Sequence, residues 1–239
     1  MIRQVIKRVL AHAGWELRRR TSRYSSMAGG LEWLADHALP FNTVLDVGAS
    51  DGRWSLQCMD SFPEADYVLF EPQPAHTEGL AAFYRGRERQ VELVRSAVGS
   101  VEGSTLFDAS DPFGGAIAGG AGEHTIEVKL TTIDSTIARL GSKPPFLLKL
   151  DTHGFEKSIL AGSQVTLQEC EALVIEAYNF EISDEAWLFW ELCAFLAQKG
   201  FRPVNLVDVL HRKSDNALWQ MDLFFVRSTW SGFLNTEYE

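Results

Sequence analysis

Apolar positions along this chain fall into short runs of two kinds. Some recur every three to four residues, as one helical face does, and others form compact blocks bounded by glycine or polar residues, as buried strands do. Residues 2–13 are of the first kind: Ile2, Val5, Ile6, Val9, Leu10 and Ala13 share a face, with Arg3, Lys7 and Arg8 off it. Gly14 ends that helix, and the small residues 25–30 read as a linker. Helices are then expected over 31–39, closed by Pro40, over 53–61, 75–85, 133–140 and 155–161, and over the strongly apolar stretch 184–199, capped by Gly200. Strands are expected over 44–47, 67–70, 91–98, 105–107, 126–130, 146–150, 172–175, 201–206 and 218–226, the last two joined as a hairpin through the polar 211–216. Residues 110–122, SDPFGGAIAGGAG, have little to pack and read as a lid loop.

Strands alternating with helices imply an α/β fold with helices on both faces of a mostly parallel sheet. The closing hairpin puts one antiparallel strand near the edge. Residues 1–30 are then an N-terminal helix and linker, and 31–239 the main domain. In such sheets ligands collect at the carboxyl ends of the strands, where strand order reverses. The residues at those ends are Asp46 to Gly52, Glu71, Ser96, Asp151 to Gly154, and Glu176 to Asn179.

Composition narrows the partners. The net charge of −10 argues against nucleic acid as the main partner. Residues 1–23 nevertheless carry seven Lys/Arg against one Glu. Two readings of that segment stand: an interfacial helix docking on anionic lipid at the inner membrane face, or a helix packed on the body or on a partner subunit in a homo-oligomer. Cys58, Cys170 and Cys193 lie far apart with no CxxC pair, which suggests neither zinc nor disulfides and fits a reducing cytoplasm. No apolar run approaches the ~18–20 residues of a membrane span, and no signal peptide is evident.

The chemistry centres on TVLDVGASDGRW, residues 43–54. It reads as strand, tight glycine turn and helix start, which brings backbone close to a ligand and offers unpaired N–H groups. Asp46 and Glu71, 25 residues apart, would sit at two strand ends opening on one cleft, where an acid accepts hydrogen bonds from a ribose diol. That logic serves NAD and S-adenosylmethionine (SAM) alike. The turn separates them: a pyrophosphate turn is GxGxxG, whereas here Asp51 would repel a pyrophosphate and favour a sulfonium or amino group.

Four blocks, VLDVGASDGRWS, YVLFEPQP, VKLTTIDSTI and FLLKLDTHGFEKSILAG, together resemble the FkbM family of SAM-dependent methyltransferases over roughly residues 42–165, and MDLFFV is similar to its closing strand. The resemblance implies a class I methyltransferase (Rossmann-like) α/β fold over 31–239, with a seven-stranded, mostly parallel sheet that has one antiparallel strand, and O-methylation of a hydroxyl on a sugar or natural product. It matches Asp46, Gly48, Ser50 and Gly52 to the cofactor turn, and Glu71 to the ribose acid. Pro72, Gln73, Ser96 and Ala97 would lie beside the adenine. Asp151 and Gly154 match the loop where acceptor and methyl meet. The family usually carries an acid or amide where this chain has His153.

An alcohol nucleophile needs its proton removed or its oxygen polarised. His153 is the expected general base, with Asp151 orienting it. A rival expectation places Mg²⁺ on Asp151, Glu176 and Asn179. Some signals read as decoys. KPPF at 143–146 precedes its strand, where an amino-methyltransferase motif would follow it. Trp187, Trp190 and Phe195 read as core, and His124 could border the acceptor. The leading reading is a SAM-dependent O-methyltransferase acting on a saccharide, glycolipid or natural-product hydroxyl. The alternatives are a non-catalytic SAM-binding scaffold and an NAD-linked oxidoreductase.

Overall fold

The computed structural model describes residues 24–87 and 90–238. The helix expected over 2–13 and the basic run that follows lie outside the described residues. A seven-stranded sheet forms the body. Its strands are β1 (Thr43–Val47), β2 (Asp66–Phe70), β3 (Val91–Val94), β8 (Phe146–Leu150), β9 (Cys170–Tyr178), β10 (Phe201–His211) and β11 (Leu218–Arg227). They run in the order β10-β11-β9-β8-β1-β2-β3, with β11 antiparallel to both its neighbours and the rest parallel. This is the expected Rossmann-like α/β fold.

Two apolar cores cover the sheet, one on each face. On one face α1 (Met27–Asp36), α2 (Arg53–Ser61) and α3 (Pro74–Phe83) bury Leu31, Trp54, Cys58 and Leu80 against Val44, Leu69 and Phe224. On the other, α4 (Ile133–Leu140), α5 (Glu156–Ala161), α6 (Gln164–Glu169) and α7 (Phe189–Gln198) bury Ile137, Ile159, Leu167 and Leu196 against Leu45, Phe70 and Ile175. The period-2 alternation of each strand sends successive side chains to opposite cores.

Four expectations need correction. Residues 27–30 are not linker but the first turn of α1, whose N-cap Ser26 accepts the Gly29 N–H at 3.2 Å. The domain boundary expected at residue 30 therefore falls inside a helix. The strand expected over 91–98 is two: the chain turns at Arg95, with the Ser96 N–H on Val94 O, and β4 (Ala97–Val98) joins a different sheet. That second sheet, β4-β7-β5-β6, contains β5 (Gly103–Asp108), β6 (Ala116–Ile117) and β7 (Thr125–Thr131). The glycine-rich segment thus supplies a strand, β6, through pairing with β5. Finally, the helix expected from residue 184 begins at Phe189, because the Glu191 carboxylate accepts the Leu188 N–H and sets the start there. Trp187 and Phe195 pack on the core as expected, but Trp190 is exposed. KPPF is tied down as an approach to β8: Pro145 O accepts the Asn42 N–H, and Pro144 O accepts from the Asn42 side chain. Among the described residues, no helix is long and apolar enough to cross a membrane.

Candidate active site

The strand order reverses between β1 and β8, and the loops above those two carboxyl ends touch. Gly48 sits at φ +78°, and a Cβ there would lie 2.0 Å from Asp151 O, so only glycine permits this contact. A cavity open to solvent lies above the β1 turn. Gly48, Ser50, Glu71, Pro72, Gln73, Ser96, Ala97, Asp151 and His153 all line it. Residues of the second sheet and its connecting segment (Phe107, Pro112, Phe113, Gly115 and Ile117) close one side.

Two expected residues do not reach the wall. Gly52 is the N-cap of α2 at φ +80°, packed under Tyr84, whose hydroxyl donates to Gly52 O at 2.7 Å. Asp46 is fully buried beneath the cavity floor, on the α2 side of the sheet. Its carboxylate accepts from Ser55 Oγ at 2.6 Å and pairs with Lys149 Nζ at 3.1 Å. The expectation that Asp46 and Glu71 share one cleft therefore holds for Glu71 alone.

Glu71 is held with care. One oxygen accepts the Ser50 N–H at 2.7 Å, the other the Gln73 N–H at 2.8 Å. Burial raises its pKa, and those two N–H groups oppose the rise. An ionised carboxylate offers about four lone-pair sites, so two remain free to accept from a diol.

Lys149, which sequence reasoning did not single out, ties the site together. It is buried, pairs in register with Asp46 across β1 and β8, and extends one pleat upward. There its ammonium lies 3.3 Å from Asp151 and donates to Gly48 O at 3.2 Å. Burial opposes its charge, but Asp46 and Asp151 outweigh burial and raise its pKa. Burial likewise acts to raise Asp151, and the charges of Lys149 and His153 prevail, leaving it lowered and ionised.

His153 follows Asp151 on a loop with φ +51°, next to Gly154 at φ +94°. The buried Glu156, also missed from sequence, holds that loop by accepting the Gly154 N–H at 3.0 Å and the Thr152 hydroxyl at 3.3 Å. His153 Nε2 lies 3.7 Å from Asp151 Oδ1 and 3.7 Å from Glu176 Oε2. Glu176 accepts from Tyr178 Oη and Gln220 Nε2. Burial first, then the Asp151 charge, pushes its carboxyl upward. Asn179 does not join this group. It continues the β9–β11 ladder through its N–H to Trp219 O, and its side chain donates to Leu218 O at 3.2 Å. His153 is the third member beside Asp151 and Glu176. His124 is exposed and does not line the cavity.

Residues 46–203 match the methyltransferase FkbM domain. The chain belongs to the FkbM methyltransferase family. It is a SAM-dependent methyltransferase, and an FkbM enzyme has an acceptor to bind. Its fold is shared with cofactor-bound Rv0187 from MTB at 14% identity and a TM-score of 0.52, covering 94% of this chain and 89% of that one. Precorrin-6y C5,15-methyltransferase from Geobacter metallireducens GS-15 matches at 11% identity and a TM-score of 0.45, covering 81% and 85%. No curated protein matches the chain significantly.

Proposed function

We propose that this FkbM methyltransferase moves the methyl group of SAM to a hydroxyl oxygen of a saccharide, glycolipid or natural-product acceptor, with His153 as general base. One observation carries the reading: a single cavity has Glu71 on one side of the β1 turn and the Asp151–His153 pair on the other. In this reading the free lone pairs of Glu71 hold the ribose diol. The backbone at Gly48 and Ser50 approaches the amino-acid end, and Pro72, Gln73, Ser96 and Ala97 flank the base.

SAM supplies a methyl group on a sulfonium that is already a good leaving group. His153 Nε2 takes the hydroxyl proton as the O–C bond forms and the C–S bond breaks. The proton ends on the imidazole, facing the ionised Asp151. Positioning then supplies much of the rate, and a placed base contributes a further ~10²–10⁴-fold. The acidic body supports a small or glycan acceptor over a nucleic acid. The basic segment 1–23 supports contact with an anionic membrane face.

The test is S-adenosylhomocysteine formation with a panel of hydroxylated saccharides and glycolipids, with the product mass rising by one methyl in place of one hydrogen. His153→Ala is expected to lower turnover by about 10²–10⁴-fold while SAM binds as in the wild type. Stripping divalent metal with EDTA is expected to leave wild-type turnover undiminished. Unchanged turnover in His153→Ala removes the base, loss of turnover with EDTA favours the Mg²⁺ mechanism, and SAM binding without any turnover favours the scaffold alternative.

A further inference from the structure

We propose that Asp151, His153 and Glu176 form a binding site for a divalent transition-metal ion of the Mn²⁺, Co²⁺ or Zn²⁺ type. The site stands on geometry alone. Its consequence, that a metal-loaded protein has lost the proton acceptor, rests on the reading of His153 as base.

The tautomer is the first argument. His153 Nδ1 lies 3.4 Å from Gly115 O. A carbonyl only accepts, so Nδ1 carries a hydrogen, and Nε2 is the nitrogen that faces the carboxylates, where it takes either a proton or a metal ion. Nε2 is 3.7 Å from an oxygen of each, too far for a hydrogen bond. Three potential ligand atoms, all within 4.8 Å of one another, therefore converge on one point. Protons shared among these groups balance their charge, and a divalent ion displaces those protons when it binds. Two ligands about 2.1 Å from one metal ion lie about 3.0–3.5 Å apart, so the side chains close inward from separations of no more than 4.8 Å to complete the site.

The outer partners form a second, independent argument. A metal-ligating histidine typically donates its other N–H to a carbonyl, and ligating carboxylates are themselves hydrogen-bonded. Here Gly115 O holds His153, Tyr178 Oη and Gln220 Nε2 hold Glu176, and Lys149 Nζ holds the far oxygen of Asp151 at 3.3 Å. An imidazole with two carboxylates suits a transition ion better than Mg²⁺ or Ca²⁺, which prefer all-oxygen sets. The nearby Lys149 charge opposes the ion and keeps the affinity below that of a closed structural site. His153 and Asp151 are 29% and 39% exposed at the cavity wall, which gives an ion a way in.

Full-length protein, stripped with EDTA and dialysed, is titrated with MnCl₂ while free Mn²⁺ is followed by electron paramagnetic resonance. The expected result is one bound Mn²⁺ per chain, at least ~10-fold weaker binding in both His153→Ala and Glu176→Gln, and poor displacement by MgCl₂. His153 lies on a partly exposed loop, so its variant guards against loss of fold at the buried Glu176. No binding at millimolar Mn²⁺, equal binding in His153→Ala, or displacement by Mg²⁺ as readily as by Co²⁺ overturns the proposal. SAM titrated into the same preparations tests the methyltransferase reading separately, since it requires no metal.

Discussion

Gly48 is the residue with the least freedom at the site. Its positive φ and the Asp151 carbonyl 2.0 Å from where a Cβ would stand leave no room for a side chain. Gly48→Ala is expected to cost about 1–3 kcal/mol in backbone strain alone and to weaken SAM binding at least tenfold, because the β8 loop must retreat; calorimetric titration of SAM checks it. This glycine was legible, since a strand–turn–helix pattern demands close backbone approach. Lys149 was less so. A lysine in the apolar run FLLKL announces a buried charge that needs partners, yet nothing local names them. Asp46 lies 103 residues earlier, and only the β1–β8 register brings the two together. The same pairing explains why Asp46, read as a cofactor ligand, is spent on holding Lys149 and Ser55. Glu156, Tyr178 and Gln220 act through loops and neighbouring strands, so spacing along the chain carries no sign of them.

At the scale of elements, local pattern worked where an element buries one face and failed where tertiary contact decides. The strands β1, β2 and β8 were plain as apolar blocks. The body of α1 was expected over 31–39, but its first turn was not, because the MAGG start looks like linker by composition. Gly30 is there for packing: a Cβ would meet the Phe224 ring at 2.4 Å, so the glycine lets α1 settle onto β11. Gly30→Ala is expected to destabilise the fold by about 1–3 kcal/mol through overpacking, despite alanine's better helix propensity, and a urea denaturation midpoint reads this directly. If the variant is as stable as the wild type or more so, α1 is not seated as described. The division of residues 91–98 between two sheets was likewise hidden, since both halves are β-rich and only the turn at Arg95 parts them.

For the whole molecule, the half-buried Asp222 on β11 makes stability depend on pH. Burial, then the charges of Asp151 and Asp208, push the Asp222 carboxyl up to about 7. In the unfolded chain it titrates near ~3.9. Between those values the folded state holds a proton that the unfolded state has lost, so this residue's contribution to stability falls as pH rises through the window. Asp222→Asn is expected to melt with the wild type near pH 4 and at a higher temperature than the wild type at pH 8. A melting difference independent of pH would mean that the Asp222 carboxyl does not titrate within this window in the folded protein. The global architecture followed from strand–helix alternation, whereas the second sheet that walls the cavity did not: strands were expected over 105–107 and 126–130, but nothing in their pattern shows that they leave the main sheet to pair with each other.

The central claim is that Glu71 and the β1 turn grip SAM within this cavity. Titration calorimetry of SAM into the wild type and Glu71→Ala tests it most directly. Loss of hydrogen bonds to a charged carboxylate, each worth about 1.5–3 kcal/mol, predicts saturable binding by the wild type and at least tenfold weaker binding by the variant. No heat of binding in the wild type at millimolar SAM, or equal affinity in the two proteins, would contradict it.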